Sequence, residues 1–207
     1  MMTEKRVLKM SVFTLRGANI VILAKQYNPS IATKDWLDRK GIIREADIIN
    51  FVHTPPFSLV ETSDFSLVVD FNRLQISVKK INLENINILP KIAETYTNSL
   101  PETPYKSIGF NFSYSIVGER SIKDILCLDE EKIVNIYPGD YRLGMSVHTN
   151  FRDYMMRLNI QPSNGELIAD FNFHFELSSF EVIRTKLGEY QDLMTNAKEN
   201  LGRLFNE

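Results

Sequence analysis

The sequence predicts an α+β protein: a predominantly antiparallel β-sheet of about seven to ten strands, in one large or two smaller sheets, covered on one face by a long C-terminal helix and a few short helices. Three observations predict it. Apolar and polar residues alternate over several stretches, turn residues separate those stretches, and the chain beyond Ser178 switches to helical spacing.

The alternation comes first. Phe65, Leu67, Val69 and Phe71 point one way, and Leu74, Ile76 and Val78 resume after a phase break at Asn72 and Arg73, where a tight hairpin or bulge is expected. Ile108, Phe110, Phe112, Tyr114 and Ile116 form the longest aromatic face, backed by Gly109, Asn111, Ser113 and Ser115. Tyr141, Leu143, Met145 and Val147 follow a Pro138-Gly139-Asp140 turn, and Tyr154, Met156, Leu158 and Ile160 lead to the turn Pro162-Ser163-Asn164-Gly165. Leu167 to Leu177 then alternates with Asp170, Asn172, His174 and Glu176 on its other face. A period of two with one apolar face describes a sheet covered on one side and wet on the other. Short turns make neighbouring strands antiparallel, and the absence of a βαβ series argues against a parallel sheet.

Short helices are expected near 30–40, ending at Gly41, from Pro90 to about Pro101, and over 121–128. The last helix is the clearest. Ser178 with Glu181 reads as a capping box, and Phe180, Ile183, Leu187, Tyr190, Met194, Ala197, Leu201 and Leu204 recur at spacings of three and four. As a parallel coiled coil, with Phe180 at position a, the flanks would carry Arg184, Lys186 and Lys198, while Glu181, Glu189, Asp192 and Glu199 lie outside. Like charges would then face one another, so the stripe is expected to pack on the protein's own sheet.

A chain of 207 residues, 43% hydrophobic and 11% aromatic, can build a substantial core. A single domain over 1–207 is expected, with two β-rich units split near 100–104 or 118–130 as the alternative. The similar segments Gly109–Tyr114 and Asp170–Phe175 leave a duplication open beside plain convergence on aromatic alternation. Lysine and arginine number 24 against 26 acids, which makes nucleic acid an unexpected partner. The one cysteine, Cys127, sits among apolar neighbours, reads as a small buried hydrophobe, and excludes an intrachain disulfide or a thiolate zinc site. No signal-like run opens the chain, and the apolar stretch Ile20 to Ala24 is far shorter than a membrane helix, so a cytoplasmic location without a membrane is expected.

Motifs that carry chemistry are few. No phosphate loop, nucleophile elbow or zinc-protease pattern is present, and no cofactor or metal is expected. The candidate polar site is Asp170, His174 and Glu176 on one strand face, where residues two apart lie about 7 Å from one another. Further donors would have to come from a neighbouring strand, such as His148 or Asp153, and the plainer reading is a solvated strand face. The candidate ligand pocket is lined by Phe110, Phe112, Tyr114, Phe171, Phe173 and Phe175, against the plainer reading of a solid core. His53 to Phe57 with its two prolines is read as a binding loop or the entry to an edge strand; Arg73, Lys79 and Lys80 form a small basic group; Trp36, beside Leu37, reads as a core residue ahead of a partner anchor.

Three functional readings follow. The first is a non-enzymatic protein-interaction or assembly module, whose partner is another protein or a second copy. The second is a helix-grip-like protein holding a small apolar ligand between sheet and C-terminal helix. The third is an enzyme with its polar site near Asp170, His174 and Glu176.

Overall fold

Two thirteen-residue strands, β1 (Val12–Ala24) and β6 (Tyr105–Val117), lie antiparallel at the centre of the structure. This is a computed structural model, and it describes residues 10–207. On one side of this pair follow β2 (Asn50–Thr54), β3 (Phe57–Glu61), β4 (Phe65–Asp70) and β5 (Arg73–Val78); on the other follow β7 (Met145–Phe151), β8 (Tyr154–Ser163) and β9 (Glu166–Glu176). Among the described residues all nine strands form one sheet, in the order β2-β3-β4-β5-β1-β6-β9-β8-β7, with every pairing antiparallel.

The chain path repeats itself. Each half starts with a long central strand, makes a helical excursion, returns through a meander that ends beside the strand it left, and closes with a helix. The first excursion holds α1 (Lys34–Arg39), and the first half closes with α2 (Leu83–Asn98); the second excursion holds α3 (Ile122–Leu126) and α4 (Glu130–Ile136), and the second half closes with α5 (Glu181–Gly188) and α6 (Tyr190–Asn206). The look-alike segments are not equivalents in this repeat. They are paired neighbours, Phe112 opposite Phe171, Asn111 opposite Asn172 and Phe110 opposite Phe173.

Turn chemistry explains the meanders. Asn164 and Gly165 both take positive φ, 49° and 83°, which is what a two-residue hairpin between right-twisted strands requires. The phase break at residue 72 is a hairpin in which Asp70 accepts from the Asn72 backbone at 2.9 Å and from the Arg73 guanidinium at 3.1 Å. Phe71 lies in that turn, exposed, rather than continuing the apolar face.

The pleat separates two environments. Ile20, Ile22, Leu67, Leu74, Ile76, Phe110, Phe112, Leu158, Phe171 and Phe173 face the helices and are fully or almost fully buried. In β1 the phase changes within the strand. A bulge between Leu15 and Gly17 lets Phe13 and Leu15 pack against the core on the same side as Ala18 and Ile20. Tyr190 packs on Phe110 and Phe112 at 5.8 and 5.3 Å between ring centres, Phe205 meets Phe13 at 6.2 Å, and the Tyr114 hydroxyl donates to the Met194 carbonyl at 3.2 Å. Burial raises the Tyr114 hydroxyl pKa to about 12.

The structure corrects several local expectations. The second helix begins at Leu83, capped by the Asn82 side chain on the Asn85 N–H, and Pro90 lies inside it. Burial of Ile86, Leu89, Ile92, Ala93 and Tyr96 along one face holds the helix through Pro90, since tertiary packing supplies most helical stability. The C-terminal helix is interrupted at Glu189, and no side chain caps Phe180, so the expected Ser178 box does not form. Its buried stripe is also wider than a coiled-coil seam: Leu193 and Phe205, which lie outside the three-and-four spacing, and Lys186, expected on a flank, are buried, because a broad sheet covers more of a helix than a second helix does. Cys127 is exposed and holds the left-handed C-cap position of α3 at φ 48°. Trp36 packs edge-on to Tyr96 at 5.5 Å, as assigned.

The interruption at Glu189 has an electrostatic anchor. Lys186 is buried, its ammonium 2.5 Å from Asp153 and 3.1 Å from Glu189, and it lies over the rings of Phe175 and Tyr154 at 4.3 and 4.8 Å. Arg152 beside it reaches Asp192 at 3.4 Å. The β7–β8 turn is thereby tied to both terminal helices. Both carboxylates and both ring faces offset the cost of burying the ammonium.

Two outcomes are expected from this packing. Phe173→Ala removes a fully buried ring that touches Phe112, Phe151 and Tyr154, and urea unfolding should show a loss of about 3–5 kcal/mol. The Lys186 ammonium holds the Asp153 carboxyl below its ordinary value. A depressed carboxyl contributes stability that is present above its unfolded pKa, about 3.9, and is lost as pH falls through the folded value. Urea midpoints of Lys186→Met should therefore fall less steeply than wild type as pH is lowered from about 5 to 2.

Candidate functional site

The face of the sheet away from the helices is open, and its cross-strand rows can be read residue by residue. One row places a polar side chain on every strand. His148, Arg157, Asn172, Asn111 and Asn19 cross from β7 to β1, and Ser77, Ser66, Glu61 and Asn50 continue to β2. At about 4.8 Å per strand the row runs about 38 Å from edge to edge.

Its centre is a ladder of three asparagines. Asn172 Nδ2 donates to Asn111 Oδ1 at 2.7 Å, and Asn111 Nδ2 donates to Asn19 Oδ1 at 2.8 Å. Each carboxamide holds the next in place, and the ladder ends with donor hydrogens on Asn19 and an acceptor oxygen on Asn172. A hollow of about 610 Å³ lies over the ladder, walled by Ser113, Asp170, Asn159, Ser146, His148 and Arg157. A second hollow of about 590 Å³ adjoins it, sharing His148, Arg157 and Asn172 and reaching Met155 and His174. Together they make a polar trough over β6, β9, β8 and β7.

The trough contains most of the expected site, though not as one cluster. Asp170 is half-buried in the first hollow, opposite Ser113 and Asn159. His174 lines the second hollow, opposite Gly109 and Met155, with its Nε2 2.8 Å from Glu176 Oε1. Four residues of strand separate Asp170 from His174, about 13 Å, so His174 and Glu176 form a pair and Asp170 stands apart. His148 sits opposite Arg157, in the asparagine row rather than beside His174, and Asp153 is engaged by Lys186 in the β7–β8 turn. Among the described residues no three histidine, cysteine or carboxylate side chains converge as a metal-binding group would.

The aromatic candidates occupy the opposite face. Phe110, Phe112, Tyr114, Phe171 and Phe173 are at most 3% exposed and pack on one another and on Tyr190. Phe175 is half-buried beneath Lys186. The space between sheet and helix is filled around Phe110, Phe112, Phe171 and Phe173, while Tyr114 borders open space. Open space on the helix side lies farther along, in an apolar groove of about 560 Å³ between α2 and α6, lined by Phe13, Leu15, Leu83, Ile86, Tyr114 and Met194.

Other features are accounted for locally. Arg73 pairs with Asp70, Lys79 with Glu61 and Lys80 with Asp64, so the small basic group is neutralised by neighbours. Pro55 and Pro56 form the turn between β2 and β3, with His53 stacked on Phe51 and its Nδ1 2.8 Å from Ser58 Oγ. Arg157, Asn159 and the ladder asparagines were not expected in the site. The Phe-Asn-Phe core shared by the look-alike segments is the sequence trace of Asn111 and Asn172; Asn19, Arg157 and Asn159 lie outside it.

No known family model matches the chain, and no curated protein is significantly similar to it in sequence. Fold and face together define its class: an antiparallel α+β protein with one sheet face sealed by helices and the other open. No helix among the described residues is long and apolar enough to cross a membrane.

Proposed function

We propose that the protein is a non-enzymatic interaction module whose working surface is the polar trough on the open sheet face. One observation carries the reading: an uninterrupted polar row with a pre-ordered asparagine ladder beneath a hollow large enough for a ligand or chain segment. Ordered amides lose little freedom on binding, and each can both donate and accept, which matches the hydrogen-bonding set of a peptide group. A random dodecapeptide display library panned on the protein should yield binders. Their affinity should fall about tenfold or more in Asn172→Ala and stay unchanged in Glu199→Gln on the helix side. Failure to select any binder, or binders indifferent to Asn172, would overturn the reading.

A second reading is supported by the groove between α2 and α6, whose apolar lining suits a small apolar ligand held beside the C-terminal helix. A fluorescent twelve-carbon fatty acid should bind the wild type and not Met194→Arg; equal binding to both would remove this reading.

A further inference from the structure

We propose that the outer edge of β7 receives an extended acidic peptide segment, which adds a tenth strand to the sheet and brings its carboxylates to His148 and Arg157. The inference rests on the open face being an interaction surface and names the partner and its mode of attachment.

The two edges of the sheet differ in how they are defended. A sheet edge presents unpaired N–H and C=O groups, and proteins protect such edges with short strands, prolines, lysines, bulges or covering segments. At the β2 edge the strand has five residues, two prolines follow it, the 3-10 turn Pro29–Ile31 lies against it, and Lys34 sits over Phe51 at 5.5 Å. Among the described residues, none of these devices appears along β7. Its seven residues, Met-Ser-Val-His-Thr-Asn-Phe, include no proline or lysine, and they pair with β8 without a bulge from Met145–Ile160 to Phe151–Tyr154.

The side chains of β7 specify what would add to it. Met145, Val147 and Phe151 turn toward the helix side and are only half-buried, so alternate residues of an added strand would find apolar neighbours there. Ser146, His148 and Asn150 turn toward the open face. Arg157 stands directly opposite His148, exposed, and has no ion-pair partner among the described residues. A strand one step beyond β7 would place its outward side chains about 5 Å from His148 and within two strand spacings of Arg157. Carboxylates there would meet the guanidinium, whose fork geometry suits them.

A second copy of the chain is the obvious rival occupant, and charge argues against it. Paired edge to edge, β7 would offer its twin no carboxylate, because it contains no aspartate or glutamate, and the two Arg157 side chains would approach the same interface. An acidic peptide complements the edge, whereas a second copy repeats it. Strand addition of this kind takes affinity from main-chain bonds and selectivity from alternate side chains.

The test uses a capped octapeptide alternating valine and aspartate, its valine–lysine counterpart, and octathymidylate as an equally extended anion. At low ionic strength the aspartate peptide should bind about tenfold or more tightly than either control. Amide exchange at Ser146, His148 and Asn150 should slow, and Arg157→Ala should weaken binding while leaving the unfolding midpoint in place. N-methylating alternate residues of the peptide should abolish binding in one phase and spare it in the other, without altering the protein. Equal binding of the lysine peptide or octathymidylate, no binding up to about 1 mM, or indifference to N-methylation in both phases would overturn the proposal. Library peptides that depend on Asn172 yet leave the β7 amides unprotected would overturn it too, while preserving the open-face reading.

Discussion

The pairing of β1 with β6 is the constraint on which the rest of the structure depends. These two thirteen-residue strands join the halves of the chain, and every other strand reaches the core through one of them. Their register decides which residues share a row. Asn19 faces Asn111 and Ile20 faces Phe110 only because the bulge at Leu15–Gly17 absorbs one residue. A one-residue slip would exchange the two faces of a strand, burying asparagines and exposing phenylalanines. Bulge and register therefore set the core and the open face together. The bulge also frees Arg16 to reach Ser115 at 2.9 Å and Glu166 at 3.3 Å, fastening the open face across three strands.

The helices complete what that pairing begins. With α2 over the first half and α5–α6 over the second, the aromatic face becomes an interior of interlocking rings. The tyrosines among them carry hydroxyl pKa values raised by desolvation. Sealing one face leaves polar chemistry only the other face, the edges and the grooves between helices. On the open face charges are sparse and mostly paired, as Arg16 is with Glu166 and Lys79 with Glu61, so amides and hydroxyls set its character. Among the described residues Arg157 and Asp170 are the exceptions, and both lie in the trough of the second half.

The internal repeat of the chain path has been used asymmetrically. In the first half the excursion buries Leu37, Ile42 and Ile43 against the core, and Ser58 reaches across to the Pro29 carbonyl at 2.9 Å. In the second half Ile122 is buried, while Leu126, Val134, Ile136 and Tyr137 are exposed. One half of the sheet is thus capped to its edge and the other is left accessible. The trough and the undefended strand β7 both belong to the accessible half.

By itself the sequence determined the fold class, the faces of β4, β5, β6, β8 and β9, and the packing of the C-terminal helix on the protein's own sheet. These are local consequences of period two, turn chemistry and helical spacing, and they need no knowledge of neighbours. The central strand β1 was not legible, because its bulge breaks the alternation and Ile20 to Ala24 reads as a continuous apolar run. The site was legible only as single strand faces: Asp170, His174 and Glu176 on β9 could be seen, but not what lay beside them. Tertiary structure alone decided that Asn172 meets Asn111, that Arg157 stands between Asn172 and His148, and that β7 ends the sheet. Strand order and register are settled by the burial of the whole aromatic face at once, a sum over distant residues that no local pattern encodes.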